Sequence, residues 1–447
     1  MASAAEQLAA SINFGAFSKA TELKNRIWFT LGALVVYRLG TYIPLPGIDA
    51  GILQEIFRQN AGGILGMFDM FSGGALGRMT IFALNIMPYI SASIIIQLLT
   101  AVSPTLENLK KEGESGRKKL NQYTRYGTVL LAAVQSYGIA IGLEGMRAGA
   151  HSAVIDPGMF FRLTTVITLT AGTVFLMWLG EQITARGIGN GISLIIMAGI
   201  VANLPHALAA TLELGRTGAI STVFIIIFLL MAVAVVMVIV FMERAQRRIL
   251  VQYPKRQQGN RMFGGEASHL PLKINTSGVI PPIFASSLLL MPVTIASFEA
   301  SGQSYGWLGT ITSYLAHGTW LYMGLYIGLI VFFTFFYTAI VFNPAETADN
   351  LRKYGGFIPG IRPGKNTADY LDYVLTRITV AGAIYLAAVC ILPEILISQY
   401  SVPFYFGGTS LLIVVSVTMD TVAQIHSHLL AHQYEGLIKK ARLRGRR

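Results

Sequence analysis

The chain is poor in cysteine and in charge. Cys390 is its only cysteine, and Asp, Glu, Lys and Arg together make up 13% of its 447 residues, against about 25% in a typical soluble domain. A single cysteine excludes an intrachain disulfide, and no Cys/His cluster has the spacing of metal ligands. We therefore expect no metal site and no cofactor.

Catalytic signatures are also missing. The sequence contains no HExxH and no GxSxG motif. It has no Walker A motif either, since Asn366 follows Gly364-Lys365 and Pro359 stands where the first glycine belongs. The chain is therefore predicted not to be an enzyme, and an intramembrane enzyme is the least favoured class.

Long apolar runs dominate what is present, and hydrophobic residues make up 53% of the chain. Ten runs reach or approach the roughly 17–25 residues that cross a bilayer. Because unpaired backbone groups are costly in lipid, a bundle of helices is the expected arrangement. We predict an all-α polytopic membrane protein with ten transmembrane helices. The runs lie at about 27–43, 79–102, 126–142, 160–179, 188–204, 220–242, 277–297, 321–342, 377–396 and 409–427.

Positive charge gathers on one side of these runs. All but six of the 34 Lys and Arg residues precede the first run, follow an even-numbered run or lie in the tail. Since cytoplasmic loops carry the positive excess, both termini are predicted to be cytoplasmic. We expect no cleavable signal peptide, because the first run is full length and no small-residue cleavage site follows it. The six exceptions are Arg38, Arg58, Arg78, Arg147, Arg162 and Arg216.

A polar stretch at 213–218 divides the runs into five and five. We therefore predict an N-terminal half over 1–215 and a C-terminal half over 216–447. An odd number of spans in each half places the halves in inverted orientation, with a working site at their interface.

A short glycine-rich segment precedes the second run. Residues 61–78 carry six glycines and an apolar core too short to span, which favours a re-entrant segment surrounded by protein. The alternative is an external amphipathic loop on the lipid surface.

The loops 243–276 and 343–376 are long and basic. They suit docking of a large acidic or RNA-containing partner, and the alternative is that their cations only enforce topology.

Seven long segments resemble the SecY family, whose members form the protein-conducting channel of bacteria. The family's single proline near the start of span seven is replaced here by adjacent Pro281 and Pro282, which we expect to alter a kink there. The segments, in order from about residue 24 to 440, are IFALNIMPYISASIIIQLLT at 81–100, and 110–128, 175–193, 243–259, 269–287, 335–364 and 402–415.

The resemblance implies two pseudo-symmetric inverted five-helix halves around a mid-membrane constriction, with a re-entrant plug helix at about 62–74. Branched aliphatic side chains would seal the constriction by dewetting, although most isoleucines in membrane helices only face lipid or pack. Pro88 is expected to break span two near the pore. The implied pore ring is Ile86, Ile90, Ile192, Ile196, Ile283 and Ile413. The implied plug residues are Gly62, Ile64, Leu65, Met67, Phe68, Asp69, Phe71 and Gly74.

A lateral gate is implied between spans two and three and spans seven and eight. Its polar candidates are Gln97, Gln135, Asn275 and Thr276, for which ordinary polar packing is the alternative. The docking candidates are Arg247, Arg248, Lys255, Arg256, Arg261 and Arg362, with Arg362 in a projecting turn the most sensitive.

The resemblance also implies partners and a location. The partners are the subunits SecE and SecG, the motor ATPase SecA, the translating ribosome, signal sequences and nascent secretory chains, membrane lipids, and SecDF and YidC as accessory proteins. The location is the bacterial cytoplasmic (inner) membrane. A channel that passes unfolded secretory chains and releases apolar segments sideways is the predicted function. The alternative is a secondary transporter of small solutes or ions, which would place ionisable residues at mid-membrane; only Arg38 and Asp420 lie clearly within the runs.

Overall fold

The structure is a computed structural model that describes residues 21–53, 69, 72–145, 147–148, 151–217, 221–253, 256–258, 261–263, 267–299, 319–400 and 408–444. Helices dominate these residues. They are α1 Thr21–Gly40, α2 Met87–Val102, α3 Pro104–Lys111, α4 Glu114–Gly145, α5 Met159–Arg186, α6 Gly191–Arg216, α7 Thr222–Arg244, α8 Ile280–Glu299, α9 Trp320–Val341, α10 Pro344–Lys353, α11 Lys365–Tyr400 and α12 Gly408–Arg444.

Each of the ten apolar runs overlaps one of these helices, which confirms the helical prediction. Among the described residues, seven helices are long and apolar enough to cross a membrane, or eight if α2 and α3, which meet at a 99° bend, form one span. The charged residues of α1, such as Glu22 and Arg38, and the shorter described apolar part of α8 keep these two helices out of that set.

Short antiparallel strands occupy two of the connections. Strands β1 Arg147–Ala148 and β2 His151–Ser152 pair with each other, as do β4 Arg256–Gln258 and β5 Arg261–Phe263. The longest pair is β3 Gln246–Gln252 with β6 Ala267–Lys273, in a register that runs from Gln246 opposite Lys273 to Gln252 opposite Ala267. The basic loop that follows α7 is therefore a β-hairpin, which the all-α prediction did not foresee.

The main hydrophobic core joins helices from both predicted halves. Its members come from α1, α2, α5, α6, α7, α8, α9, α11 and α12, and Tyr37, Leu176, Ile195, Leu386 and Leu412 are fully buried in it. Cys390 of α11 is also buried there. In contrast, α7 presents an exposed apolar surface, as its window of membrane-spanning length is only 6% buried. This exposed surface suits contact with lipid or another apolar partner.

Candidate functional site

Five of the six isoleucines expected at the constriction line one small cavity. Ile86 and Ile90 come from the start of α2, Ile196 from α6, Ile283 from α8 and Ile413 from α12. The space open to the centre of a water molecule is about 10 Å³, which is room for about one water. The wall is completed by Asn85, Met87, Ser286 and Ser287. Aliphatic side chains from both predicted halves thus close around a space too narrow for a hydrated ion.

Ile192, the sixth isoleucine, lies beside the cavity and does not line it. It is in the first turn of α6, where the Asn190 side chain caps the helix by accepting a hydrogen bond from the Ile192 N–H at 3.1 Å. Its Cγ1 atom lies 3.0 Å from the position that a Cβ on Gly180 of α5 would take. Ile192 therefore packs between α5 and α6, in the same hydrophobic core as the other five.

Span two begins later than predicted. The apolar run starts at residue 79, but α2 starts at Met87, with Ile86 as its N-cap and Pro88 in its first turn. The preceding residues are irregular, and Asn85 has a φ of +49°. Asparagine tolerates this left-handed conformation better than most residues, and proline fits the first turn of a helix because it lacks an N–H donor. Pro88 therefore starts the helix, and the predicted break in the run of span two lies immediately before it, where the irregular backbone ends and α2 begins.

The adjacent prolines of span seven have the same explanation. Pro281 and Pro282 follow directly on Ile280, where α8 begins. A proline in the first turn removes no intrahelical hydrogen bond. A proline kinks a helix only in its interior, and both prolines here lie in the first turn of α8. The second proline therefore causes no kink, and Ile283 reaches the cavity from a regular helical position.

Two serines give the cavity a polar edge that the sequence did not indicate. The Ser286 hydroxyl donates to the Ile283 carbonyl at 2.9 Å, within its own helix. The neighbouring Ser287 hydroxyl is buried and has no hydrogen-bond partner among the described residues. These side chains differ in their hydrogen bonding although both line the same cavity.

Of the eight plug candidates, the structure describes Asp69 and Gly74; the other six lie outside the described residues. The Asp69 carboxylate accepts from the Gly77 N–H, and its carbonyl accepts from the Gly74 N–H at 2.8 Å. The Ser72 hydroxyl also donates to that carbonyl, at 2.9 Å. Burial raises the pKa of the Asp69 carboxyl. Hydrogen bonds therefore tie Asp69 to Ser72, Gly74 and Gly77 at the end of the candidate plug.

The structure does not bring the four polar gate candidates together. The Gln97 amide donates to Ser93 of its own helix at 3.3 Å. Asn275 donates to the Glu243 carboxylate at 2.6 Å, and Thr276 donates to the Lys273 carbonyl at 3.0 Å. Gln135 is half-buried on α4. The predicted hydrogen bonds across the gate are therefore not found among these residues. Asn275 and Thr276 bind groups on their own side of the seam, and the buried Gln97 Oε1 has no hydrogen-bond partner in the part of the chain that the structure describes.

The helices of the predicted gate nevertheless meet. Helix α8 packs against α2 and against α4, and we call this contact the seam. Buried side chains near it include Ile90 and Ile94 of α2 and Phe284 of α8, which belong to the main hydrophobic core. Apolar side chains of α2 and α8 thus share one core and line one cavity, to which Ile90 and Ile283 both contribute.

The two basic loops form one body. Gln252 at the end of β3 and Phe357 exchange both backbone hydrogen bonds, each 2.9 Å long. Ile249 and Leu272 of the hairpin share a buried cluster with Ile358 and Leu371 of the second loop and α11. We call the hairpin 246–273 and the turn 354–364, held together in this way, the docking platform.

Three of the six docking candidates are described as exposed side chains on this platform. Arg247 and Arg248 on β3 and Arg362 in the turn are exposed. Arg256 and Arg261 have described backbones in β4 and β5, where they face Phe263 and Gln258, while Lys255 lies outside the described residues.

Arg362 lies in the predicted tight turn. Gly360 and Gly364 have φ values of +83° and +108°, a region open to glycine. The Thr367 hydroxyl donates to the Arg362 carbonyl at 2.9 Å, and the Ile361 N–H donates to the Ile358 carbonyl at 3.1 Å. The turn therefore presents Arg362 on a fixed backbone.

Within the part of the chain that the structure describes, no group of three His, Cys, Asp or Glu side chains could hold a metal ion.

Comparisons with known proteins agree on one family. The family model described as SecY matches residues 80–422. The chain is 57% identical over 430 residues to Protein translocase subunit SecY of Rickettsia conorii, which covers 96% of this chain and 99% of that protein.

Two solved structures have the same fold. One, described as "The structure of a protein conducting channel", has a TM-score of 0.66 and 18% identity, and the alignment covers 92% of this chain and 93% of that chain. The other, "Sec61 in the Canine ribosome-channel complex from the endoplasmic reticulum", has a TM-score of 0.62 and 18% identity, with the same coverage. With a family match over most of its length and a relative at more than half identity, the chain belongs to the SecY family.

Proposed function

We propose that this chain forms the pore of a protein-conducting channel, which passes unfolded secretory polypeptides across a membrane and releases apolar segments sideways into lipid. One observation carries the proposal within this family: five isoleucines from helices of both predicted halves surround a space of about one water molecule. A throat of this kind excludes hydrated ions at rest. It can admit a polypeptide when the halves move apart, because the isoleucine side chains offer a passing chain no hydrogen bonds.

The six isoleucines act together as the pore ring in this proposal. Ile86, Ile90, Ile196, Ile283 and Ile413 form the seal itself. Ile192 supports it from the next turn of α6, where it fills the space against Gly180. A stiff, branched side chain holds its shape in such a ring, so the seal does not depend on polar contacts.

The segment 62–74 is the plug that covers this ring from the far side. At its described end, Asp69 accepts hydrogen bonds from the Gly74 and Gly77 N–H groups, which supports an ordered end for the plug. The seam between α8 and the pair α2 and α4 is the lateral gate. An arriving signal sequence opens it by replacing apolar contacts with its own apolar surface, at about 25 cal/mol per Å² buried. The polar groups of Gln97, Gln135, Asn275 and Thr276 tune the seam from its edges.

The docking platform binds the partner that drives transport. Exposed Arg247, Arg248 and Arg362 suit the acidic surface of a motor or the phosphates of ribosomal RNA, and Lys255, Arg256 and Arg261 extend the same basic hairpin. We assign SecA and the translating ribosome to this surface. SecE and SecG are the partner subunits, signal sequences and nascent secretory chains are the cargo, and SecDF and YidC are accessory partners.

The location follows from charge. The basic loops and both termini face the cytoplasm of a bacterial inner membrane by the positive-inside rule, and lipids contact the exposed surface of α7. The chain itself catalyses no reaction, so hydrolysis of ATP belongs to the motor.

Crosslinking of a stalled chain tests the pore. A precursor that carries a photoreactive residue is arrested during transport into vesicles that contain the channel, its partner subunits and SecA. Crosslinks are expected at Ile86, Ile196 and Ile413 and not at Ile227, an isoleucine of α7 that is 58% exposed. Crosslinks confined to lipid-facing positions would refute the assignment. Saturable uptake of a small solute, with no precursor transport, would instead support the transporter.

A further inference from the structure

Two arginines on the far side of the membrane converge on one backbone carbonyl. Arg38, in the last turn of α1, donates from Nη1 to the Gly73 carbonyl oxygen at 2.7 Å. Arg78 donates from Nη2 to the same oxygen at 3.2 Å. A carbonyl oxygen has two lone pairs, so both guanidinium groups can bind it at once. Gly73 lies next to the end of the candidate plug.

Each arginine is itself fixed by neighbouring groups. Arg38 donates from Nη2 to the Tyr42 hydroxyl at 3.1 Å, and Arg78 donates from Nε to the Thr41 carbonyl at 3.2 Å. The aromatic ring of Tyr42 lies 5.1 Å from the Arg38 Cζ atom and 4.3 Å from the Arg78 Cζ atom. A ring at these distances attracts both cations and holds two like charges close to one acceptor.

A residue with a side chain does not fit at position 73. Its φ is +68°, and a Cβ at this position would lie 3.0 Å from the Gly199 Cα atom of α6 and 3.2 Å from Arg38 Nη1. Only glycine adopts this conformation freely. Gly73 is thus packed closely against Gly199 of α6 while its carbonyl binds the two guanidinium groups, and the Tyr37 hydroxyl donates to the preceding Ser72 carbonyl at 3.4 Å.

Charge placement makes the pair unusual. Positively charged residues are disfavoured on the side opposite the cytoplasm, yet Arg38 and Arg78 are two of the six that lie there. Neither forms an ion pair among the described residues, where every other cation of this group with a described side chain, Arg162 and Arg216, is paired with a glutamate. The two guanidinium groups therefore donate their hydrogen bonds to the backbone carbonyls of Gly73 and Thr41 and to the Tyr42 hydroxyl.

We propose that Arg38 and Arg78 are positioning residues that clamp the Gly73 carbonyl and thereby hold residues 72–74, the described end of segment 62–74, in the closed position. This inference rests on the proposed role of that segment as the plug. Movement of the plug must break two charge-assisted hydrogen bonds to one atom, and such bonds are the stronger kind. The clamp sets how readily the channel opens while the isoleucine ring sets how tightly it seals.

Thiol labelling tests the clamp directly. The only natural thiol, Cys390, is buried, so Ser72→Cys adds a single reporter at a residue that is 2% exposed. The full chain with its partner subunits is placed in vesicles, and a membrane-impermeant maleimide is added on the far side. Arg38→Gln and Arg78→Gln are each expected to raise the labelling rate at position 72 on the order of tenfold, since one strong hydrogen bond is lost. The double variant should label faster still.

Two comparisons separate this role from a general effect on folding. Arg216→Gln, which removes a 79%-exposed cation paired with Glu213, should leave the labelling rate unchanged. Arg38→Lys keeps the charge and one donor, so it should fall between the native chain and Arg38→Gln. All variants are checked for export of a normal precursor, which requires a folded channel.

The outcomes are distinct for the clamp and for the plug. The clamp is overturned if the Arg38→Gln, Arg78→Gln double variant still exports a precursor and labels at position 72 no faster than the chain with both arginines. If Arg38→Lys labels as fast as Arg38→Gln, the charge and donor are not what holds the segment, and the clamp is again overturned. Deletion of 62–71 that leaves the ion conductance of the resting channel unchanged overturns the plug role, and that result does not depend on either arginine.

Discussion

Gln252 and Phe357 pair as an isolated antiparallel bridge between two loops that are more than 100 residues apart in the sequence, with both N···O distances at 2.9 Å. The bridge joins the hairpin after α7 to the turn before α11. Basic residues from two loops thus belong to one rigid surface, and damage to either loop should affect docking through both. The first two predictions concern this surface.

Charge reversal at Arg362 should strongly reduce post-translational export. Arg362→Glu places a carboxylate on the exposed turn, where it repels an acidic partner, and like charges at an interface strongly disfavour binding. Export of a secretory precursor into vesicles with SecA and ATP should fall at least several-fold, while the amount of channel inserted in the membrane stays normal. Arg216→Glu makes the same change of charge on the opposite side and should export normally. Normal export by Arg362→Glu would remove this residue from the docking role.

The apolar core of the docking platform should matter more than its surface. Ile249→Ala removes a side chain that is 5% exposed and should cost about 2–5 kcal/mol of local stability. Leu250→Ala, on the next residue and 38% exposed, should cost about 0.5 kcal/mol or less. Hydrogen exchange of the Gln252 and Phe357 amides reports the difference. Equal protection in the two variants would mean that the two loops are not held by this core.

Polar replacements in the ring should open an ion leak. Ile86→Ser and Ile413→Ser replace side chains that are 1% exposed with small hydroxyls, which wets the throat and lowers the barrier to ions. The conductance of planar bilayers containing the channel should rise several-fold for each. Ile192→Ser should have a smaller effect, because Ile192 does not line the cavity. A ring role is excluded if Ile86→Ser and Ile413→Ser conduct no more than the native channel.

The two serines at the cavity should respond in opposite directions. Ser287→Ala removes a buried hydroxyl that has no partner among the described residues. An unsatisfied buried group destabilises the folded state by about 1–3 kcal/mol, so its removal should stabilise the structure described here. Ser286→Ala breaks the hydrogen bond to Ile283, which is worth about 0.5–1.5 kcal/mol. We expect Ser287→Ala to favour the closed channel and to slow export of a precursor with a weakened signal sequence, and Ser286→Ala to speed it. Identical rates in the two variants would contradict this account of the cavity.

The sequence predicts the helices well because apolar runs of span length leave few alternatives. It also predicts the ring residues that meet, but only through the family resemblance, since nothing in the spacing of Ile196 and Ile413 distinguishes them from other isoleucines. The start of α2 was misplaced because the run from residue 79 is apolar throughout, and the left-handed Asn85 that delays the helix is a matter of backbone conformation.

Polar contacts were the hardest to predict. The resemblance predicts that Asn275 reaches across the seam, yet it binds Glu243 at the end of α7. The hairpin of β3 and β6 pairs Gln246 with Lys273 and so brings Asn275 back beside the end of α7. The clamp on Gly73 was not foreseen either: Arg38 and Gly73 are 35 residues apart, and only the folded chain shows that they touch. Long-range partners of this kind carry no local sequence pattern.

Helix α11 begins at Lys365, three residues after Arg362, and continues for 36 residues to Tyr400. At 1.5 Å per residue it is about 54 Å long, whereas the hydrocarbon core of a bilayer is about 30 Å thick. The length of α11 thus exceeds what a bilayer crossing needs, and Arg362 lies just before its first residue. If a partner docks at this turn as proposed, the force that it applies acts on one end of the helix that carries Leu386, Val389 and Cys390 of the main hydrophobic core, so that force reaches the core through a single helix.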